Sequence, residues 1–231
     1  MSILSIETAT AHCSVALHSL NGTCIAHKTA PTENTHSEQL GCLIEELLCE
    51  TETPIQSLKA VAISQGPGSY TGLRIGASLA KGICFALSIP LIAVDTLQAL
   101  ALAIKEKITG ELPANSVFVP MLDARRMEIY TAQWTLHNEQ MQTPNACVVD
   151  TETRLLFSEN HHYYTGGNGS DKCAELLCNS HIEHVKNVEN RAKTVGDIAC
   201  TLYTEQQFAD TAYFEPLYLK EFQTTQSKKQ L

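Results

Sequence analysis

The 231-residue sequence holds a single tryptophan, and only 6% of its residues are aromatic. Basic residues are also sparse: 16 Lys and Arg stand against 25 Asp and Glu, a net charge of −9. A protein that grips RNA or DNA alone must neutralise phosphates, so this balance argues against such a role without a partner. No apolar run is long enough to span a bilayer, so no membrane role is expected. The Walker A lysine, the Gly-x-Gly-x-x-Gly fingerprint, the His-Glu-x-x-His helix and the Gly-x-Ser-x-Gly elbow are all missing. The closest histidine sets, His161-His162 and His181-x-x-His184, lack recognised metal-ligand spacing, so no metal is expected. The nine cysteines include no Cys-x-x-Cys pair and are odd in number. Met1-Ser2 runs directly into a strand without a signal-peptide pattern. The expectation is free thiols, mostly buried, in a reducing cytoplasm.

The most informative stretch runs from Leu58 to Ala93. Ala60-Val61-Ala62-Ile63 reads as a buried strand, and Gly66-Pro67-Gly68-Ser69 breaks it. Ser69 or Thr71 can cap a following helix that runs to about Leu87, before a second strand at Leu91 to Val94. The two strands should lie parallel with a right-handed crossover. Gly72, Gly76, Ala80 and Cys84 recur every fourth residue along the helix, leaving one stripe almost without side chains. Two glycines on one stripe cost about 1 kcal/mol each against alanine, so another backbone should approach closely. That neighbour is either the same domain or a second protein, which would meet the stripe or the Ile75-Leu79-Ile83 edge beside it.

Upstream, Ile3 to Ile6, Cys13 to His18 and Thr23 to His27 read as an antiparallel meander with an Asn21-Gly22 turn. Leu40, Leu43, Ile44, Leu47 and Leu48 give the spacing of an amphipathic helix over Ser37 to Glu50, which Thr35 or Ser37 can cap. A further helix covers Thr96 to Lys105. This is a ribonuclease-H-like order, and it partly repeats. Strands are expected at Val117 to Leu122, Met127 to Trp134, Ala146 to Asp150 and His162 to Thr165. Helices are expected at Thr153 to Ser158, Asp171 to Cys178 and Thr194 to Glu205; the last of these, with Leu217 to Leu219, closes the second half. The expected division is residues 1–108, residues 109–222 and a frayed tail at 223–231. Two such halves define an α/β protein of the actin-like (ASKHA) class, two ribonuclease-H-like domains with mixed sheets; a fold of this kind does not supply a function.

Two places could hold an anion. Gly66, Gly68 and Ser69 precede a helix N-terminus and can present backbone N–H groups, although a plain strand-to-helix turn needs no ligand. In the second half, Asp123-Ala124-Arg125-Arg126 forms a turn in which Arg125 is a candidate. An ion-pair cluster with Asp123 and Glu128 explains the same residues more simply. The matching segment of the first half, Glu7-Thr8-Ala9-Thr10, has no glycine to let a phosphate approach its backbone.

Five segments together resemble the TsaB family, also called YeaZ. They are Ile6 to Thr10, Cys13 to Leu17, His36-Ser37-Glu38, Gly66 to Gly76 and Asp123 to Tyr130. The resemblance covers most of the chain and is most specific in Gly66-Pro67-Gly68-Ser69-Tyr70-Thr71-Gly72-Leu73-Arg74-Ile75-Gly76. It implies an actin-like fold and a part in making threonylcarbamoyladenosine at adenosine 37 of tRNAs that read ANN codons. In that pathway a TsaD-type transferase does the chemistry, a TsaE-type ATPase joins it, and the TsaB-type protein is a non-catalytic partner. The resemblance also implies a homodimer when the chain is alone, and contact with tRNA only through the complex. No cofactor is expected in this chain, with ATP and metal belonging to the partners. Where the transferase carries two metal-binding histidines, this sequence has Thr96 and Leu100, which counts against intrinsic catalysis. The alternative is an enzyme in its own right, an ATP-dependent transferase or the peptidase once proposed for the family. The resemblance maps the partner surface onto Leu40, Leu43, Ile44 and Leu47 of one helix and Gly72, Ile75, Gly76 and Leu79 of the next.

Overall fold

A computed structural model describes residues 1–33, 35–150, 157–177 and 179–220. The first sheet opens with an antiparallel meander, β1 (Ser2–Glu7), β2 (Ser14–Ser19) and β3 (Cys24–Thr29). After α1 (His36–Glu50) comes β4 (Leu58–Gly66), parallel to β1, and after α2 (Tyr70–Leu87) comes β5 (Leu91–Asp95), parallel to β4. The resulting order is β3-β2-β1-β4-β5.

The second sheet repeats this plan with β6 (Ser116–Asp123), β7 (Glu128–Thr135), β8 (Gln140–Val148), β9 (His162–Gly166) and β10 (Ile182–Val185), in the order β10-β9-β6-β7-β8. β8 starts earlier than its apolar residues suggest, because backbone pairing with β7 carries it back to Gln140. β10, only four residues long, is held by parallel pairing to β9. The segment after the second glycine loop forms only a one-turn 3₁₀ helix at Asp171–Cys173. The helix expected over Thr153 to Ser158 falls largely outside the described residues, as do Cys178 and the tail from residue 221.

Helix α3 (Thr96–Lys107) and helix α4 (Ala192–Thr204) cross between the sheets. Leu97, Leu100, Ala101 and Ile104 of α3 pack on Phe118, Trp134 and Tyr164 of the second sheet. Helix α4 does not close the second half as its place in the chain suggests. Its Val195, Ile198 and Ala199 cover Ile3, Ala60 and Ile92 of the first sheet, the face that α1 and α2 leave open. β1 is therefore buried on both sides along its whole length, its polar Ser2, Ser5 and Glu7 included.

Candidate functional site

Both glycine loops turn back on their own chain. The Ser69 hydroxyl caps α2 by accepting from the Gly72 N–H at 3.2 Å, which settles the choice between Ser69 and Thr71. The Ser69 N–H donates to the Ala9 carbonyl at 2.7 Å, and the Gly66 N–H donates to Thr96 Oγ1 at 2.9 Å. A Cβ on Gly68 would strike Ala9, and one on Gly66 would strike the Leu217 carbonyl. The Gly66 and Ser69 donors are thus taken by Thr96 and Ala9, and the space beside Gly66 and Gly68 by Leu217 and Ala9. In the second half, Asp123 pairs with Lys172 and accepts from the Arg125 N–H at 3.1 Å. Glu128 pairs with Lys220. The acidic neighbours expected for Arg125 therefore pair with lysines, and its own guanidinium stays exposed at the hairpin tip.

Thr96 and Leu100 have internal duties. The Thr96 hydroxyl receives the Gly66 N–H and its carbonyl accepts from Asn190 Nδ2 at 3.1 Å. Leu100 is fully buried in the second core. Glu7 at the end of β1 is fully buried as well; Oε1 accepts from the Ala9 N–H at 2.6 Å. Burial pushes its carboxyl up to about 7, against the opposing pull of the Ala9 N–H bond.

The C-terminal segment straps α2 to the first sheet. The Ala209 N–H donates to the Leu91 carbonyl at 2.9 Å, and Lys81 Nζ donates to the carbonyls of Ala212 and Phe214 at 3.0 and 3.1 Å. Further on, the Leu217 N–H donates to the Gln65 carbonyl at 2.7 Å. Arg74 lies 4.1 Å from the Tyr70 ring centre and donates to the Tyr218 hydroxyl at 3.2 Å. The stretch Leu217 to Leu219 thus belongs to the seam over Gly66 rather than to the second half alone.

What stays open is a groove of about 620 Å³ between α1 and α2, floored by Ile44, Leu48, Ile55, Leu79 and Ile83. Of the eight residues mapped from sequence, only Ile44 and Leu79 line it. Ile75 is half-buried against the same core. Leu40, Leu43 and Leu47 are buried in the chain's own core. Gly72 and Gly76 face Thr8, whose carbonyl oxygen and hydroxyl occupy the space a Cβ would need. The small-residue stripe therefore serves the close approach of the first hairpin loop, and the aliphatic edge beside it faces the groove. The expected cap of α1 is only positional: Thr35 sits at the N-cap without a side-chain bond to the helix.

Two sheets of matching order, each opened by a meander and separated by two crossing helices, define an actin-like (ASKHA) protein. Solved structures agree: YeaZ from Pseudomonas aeruginosa superposes with a TM-score of 0.78 at 24% identity, covering 94% of this chain and 99% of that one. The ADPNP-bound activator of 2-hydroxyisocaproyl-CoA dehydratase from Clostridium difficile superposes at 0.52 with 9% identity, covering 90% and 97%. Residues 26–220 match the family model for TsaD, tRNA N6-adenosine threonylcarbamoyltransferase. The chain is 30% identical over 95% of its length, and 95% of the relative's, to the tRNA threonylcarbamoyladenosine biosynthesis protein TsaB of Escherichia coli strain K12. It is 33% identical to the TsaB of Bacillus subtilis strain 168 over 60% of this chain and 57% of that one. The chain belongs to the TsaB (YeaZ) family.

Proposed function

We propose that this protein is a non-catalytic subunit of the tRNA threonylcarbamoyladenosine machinery, which binds and activates a TsaD-type transferase through the groove between α1 and α2. The observation that carries the reading is a contrast within one domain. The loop that could hold a phosphate is filled by the chain's own Ala9 and Leu217, whereas the aliphatic groove beside it is left uncovered. Apolar surface of this kind on an otherwise acidic protein is the usual mark of a docking site. The transferase then carries out threonylcarbamoyl transfer to adenosine 37 of ANN-decoding tRNAs, a TsaE-type ATPase joins the pair, and tRNA is met through the complex. Alone, the chain pairs with itself.

Light scattering of the purified chain, alone and mixed with the transferase of the same organism, tests this. A heterodimer should replace the lone species, and Leu79→Glu should prevent it while leaving the thermal midpoint within a few degrees of wild type. Two unaltered species would overturn the reading, and ATP binding by the lone chain would then favour the enzymatic alternative.

A further inference from the structure

The groove has charge of one sign. Glu45 and Glu52 stand on its lining, which includes no Lys or Arg. Three cations of the surrounding elements are already engaged. Lys28 is held by Glu46 and Glu50 at 3.8 and 2.8 Å. On α2, Lys81 donates to carbonyls of the C-terminal strap, and Arg74 lies against Tyr70 and Tyr218. Neither Glu45 nor Glu52 is in an ion pair among the described residues, and both are exposed. The result is an aliphatic floor with an unneutralised acidic rim.

Self-pairing across a two-fold axis brings one patch against its own copy. Here that would set four glutamates around a single apolar contact, where losing water adds to their repulsion. A helical surface with aliphatic side chains flanked by Lys or Arg meets the same groove with favourable charge on both edges. On the reading that the groove receives the partner, we infer that its acidic rim selects a basic helical surface on a different protein over a second copy of this chain. The rim acts against the wrong pairing as well as for the right one.

The two pairings then respond to salt in opposite directions, because screening weakens attraction and repulsion alike. The test titrates the full chain with the TsaD-type transferase of the same organism, and separately follows its self-association, at about 50 mM and about 300 mM NaCl. Affinity for the transferase should fall several-fold with salt while self-association strengthens. Glu45→Lys with Glu52→Lys should weaken the heteromeric complex about tenfold at low salt and flatten its salt dependence. The neutral pair Glu45→Gln with Glu52→Gln should raise self-association. An unchanged affinity and salt slope in the charge-reversed variant would overturn the charge selection. If Leu79→Glu still abolishes binding in that case, the groove remains the docking surface and only the charge inference is lost. If Leu79→Glu binds at full affinity, the groove assignment itself falls, and the inference with it.

Discussion

The carbonyl oxygen of Thr8 lies where a Cβ on Gly72 would have to go. Helix α2 can rest directly on the loop after β1 only because this position has no side chain. The first hairpin loop thus meets both the Gly66 loop, through Ala9 and Gly68, and the start of α2, through Thr8 and Gly72. A backbone oxygen cannot swing aside as a side chain can. Gly72→Ala should therefore lower stability by about 2–3 kcal/mol despite alanine's better helix propensity. Gly82, on the same helix with nothing within 4 Å of its would-be Cβ, supplies the control: Gly82→Ala should raise stability by about 0.5–1 kcal/mol. Urea denaturation of both variants decides the matter, and equal effects would contradict the packing.

Glu7 gives the fold a pH signature. Its folded value of about 7 lies above the ordinary 4.5, so the native state holds a proton that the unfolded chain releases. That contribution is complete below about 4.5, declines as the pH rises toward 7, and is gone above it. Glu7→Gln keeps an acceptor for the Ala9 N–H and has nothing to ionise. Its stability relative to wild type should rise across this window, by up to about 3 kcal/mol at pH 8. Chemical denaturation at pH 4.5, 6 and 8 would show it; a pH-independent difference would contradict the buried carboxyl.

Asp197 behaves in the opposite sense. Burial pulls its carboxyl upward, but hydrogen bonds from His18 at 3.1 Å and Lys193 at 2.9 Å prevail and hold it below the usual value. Stability from this group is present above the ordinary carboxylate range and is lost as the pH falls through the lowered value. Asp197→Asn should cost about 1–2 kcal/mol at pH 7, because it weakens two charge-assisted bonds, one from His18 that ties α4 to β2 and one from Lys193 within α4. The gap between variant and wild type should narrow as the pH falls below the carboxylate range, measured by thermal midpoints in both conditions.

The cysteines divide by burial. Cys42 and Cys49 are exposed on α1, while Cys13, Cys84, Cys173 and Cys200 are buried. Burial pushes the Cys84 and Cys173 thiols up to about 11. Brief alkylation of the native protein should label Cys42 and Cys49 and spare the four buried thiols, read by peptide mass spectrometry. Cys49 lines the groove, so adding the transferase should protect it.

Much of the architecture is legible from local pattern. The apolar run at Ala60 to Ile63 and the 3.6-residue spacing of Leu40, Leu43, Ile44 and Leu47 placed β4 and α1 correctly, because periodicity and turn residues act over a few neighbours. The same locality explains the failures. An apolar stripe has one appearance whether it meets its own sheet or another molecule, so spacing alone could not say that the chain's own core buries Leu40, Leu43 and Leu47. The residues that complete the groove, Leu48, Ile55 and Ile83, come from three elements; the only hint was the Ile75-Leu79-Ile83 edge. The order of elements likewise could not reveal that α4 returns to the first sheet.

The actin-like element order and, through the Gly66 to Gly76 stretch, the family are written in local pattern. Close backbone approach and tight turns demand particular residue types at particular spacings, and these survive as motifs. Which apolar faces are spent internally and which remain open, that Thr8 fills the glycine stripe, and that the C-terminal strap seals the Gly66 loop emerge only once the chain is folded. Burial belongs to pairs of surfaces that are distant in the chain, and no local pattern records which pairs will meet.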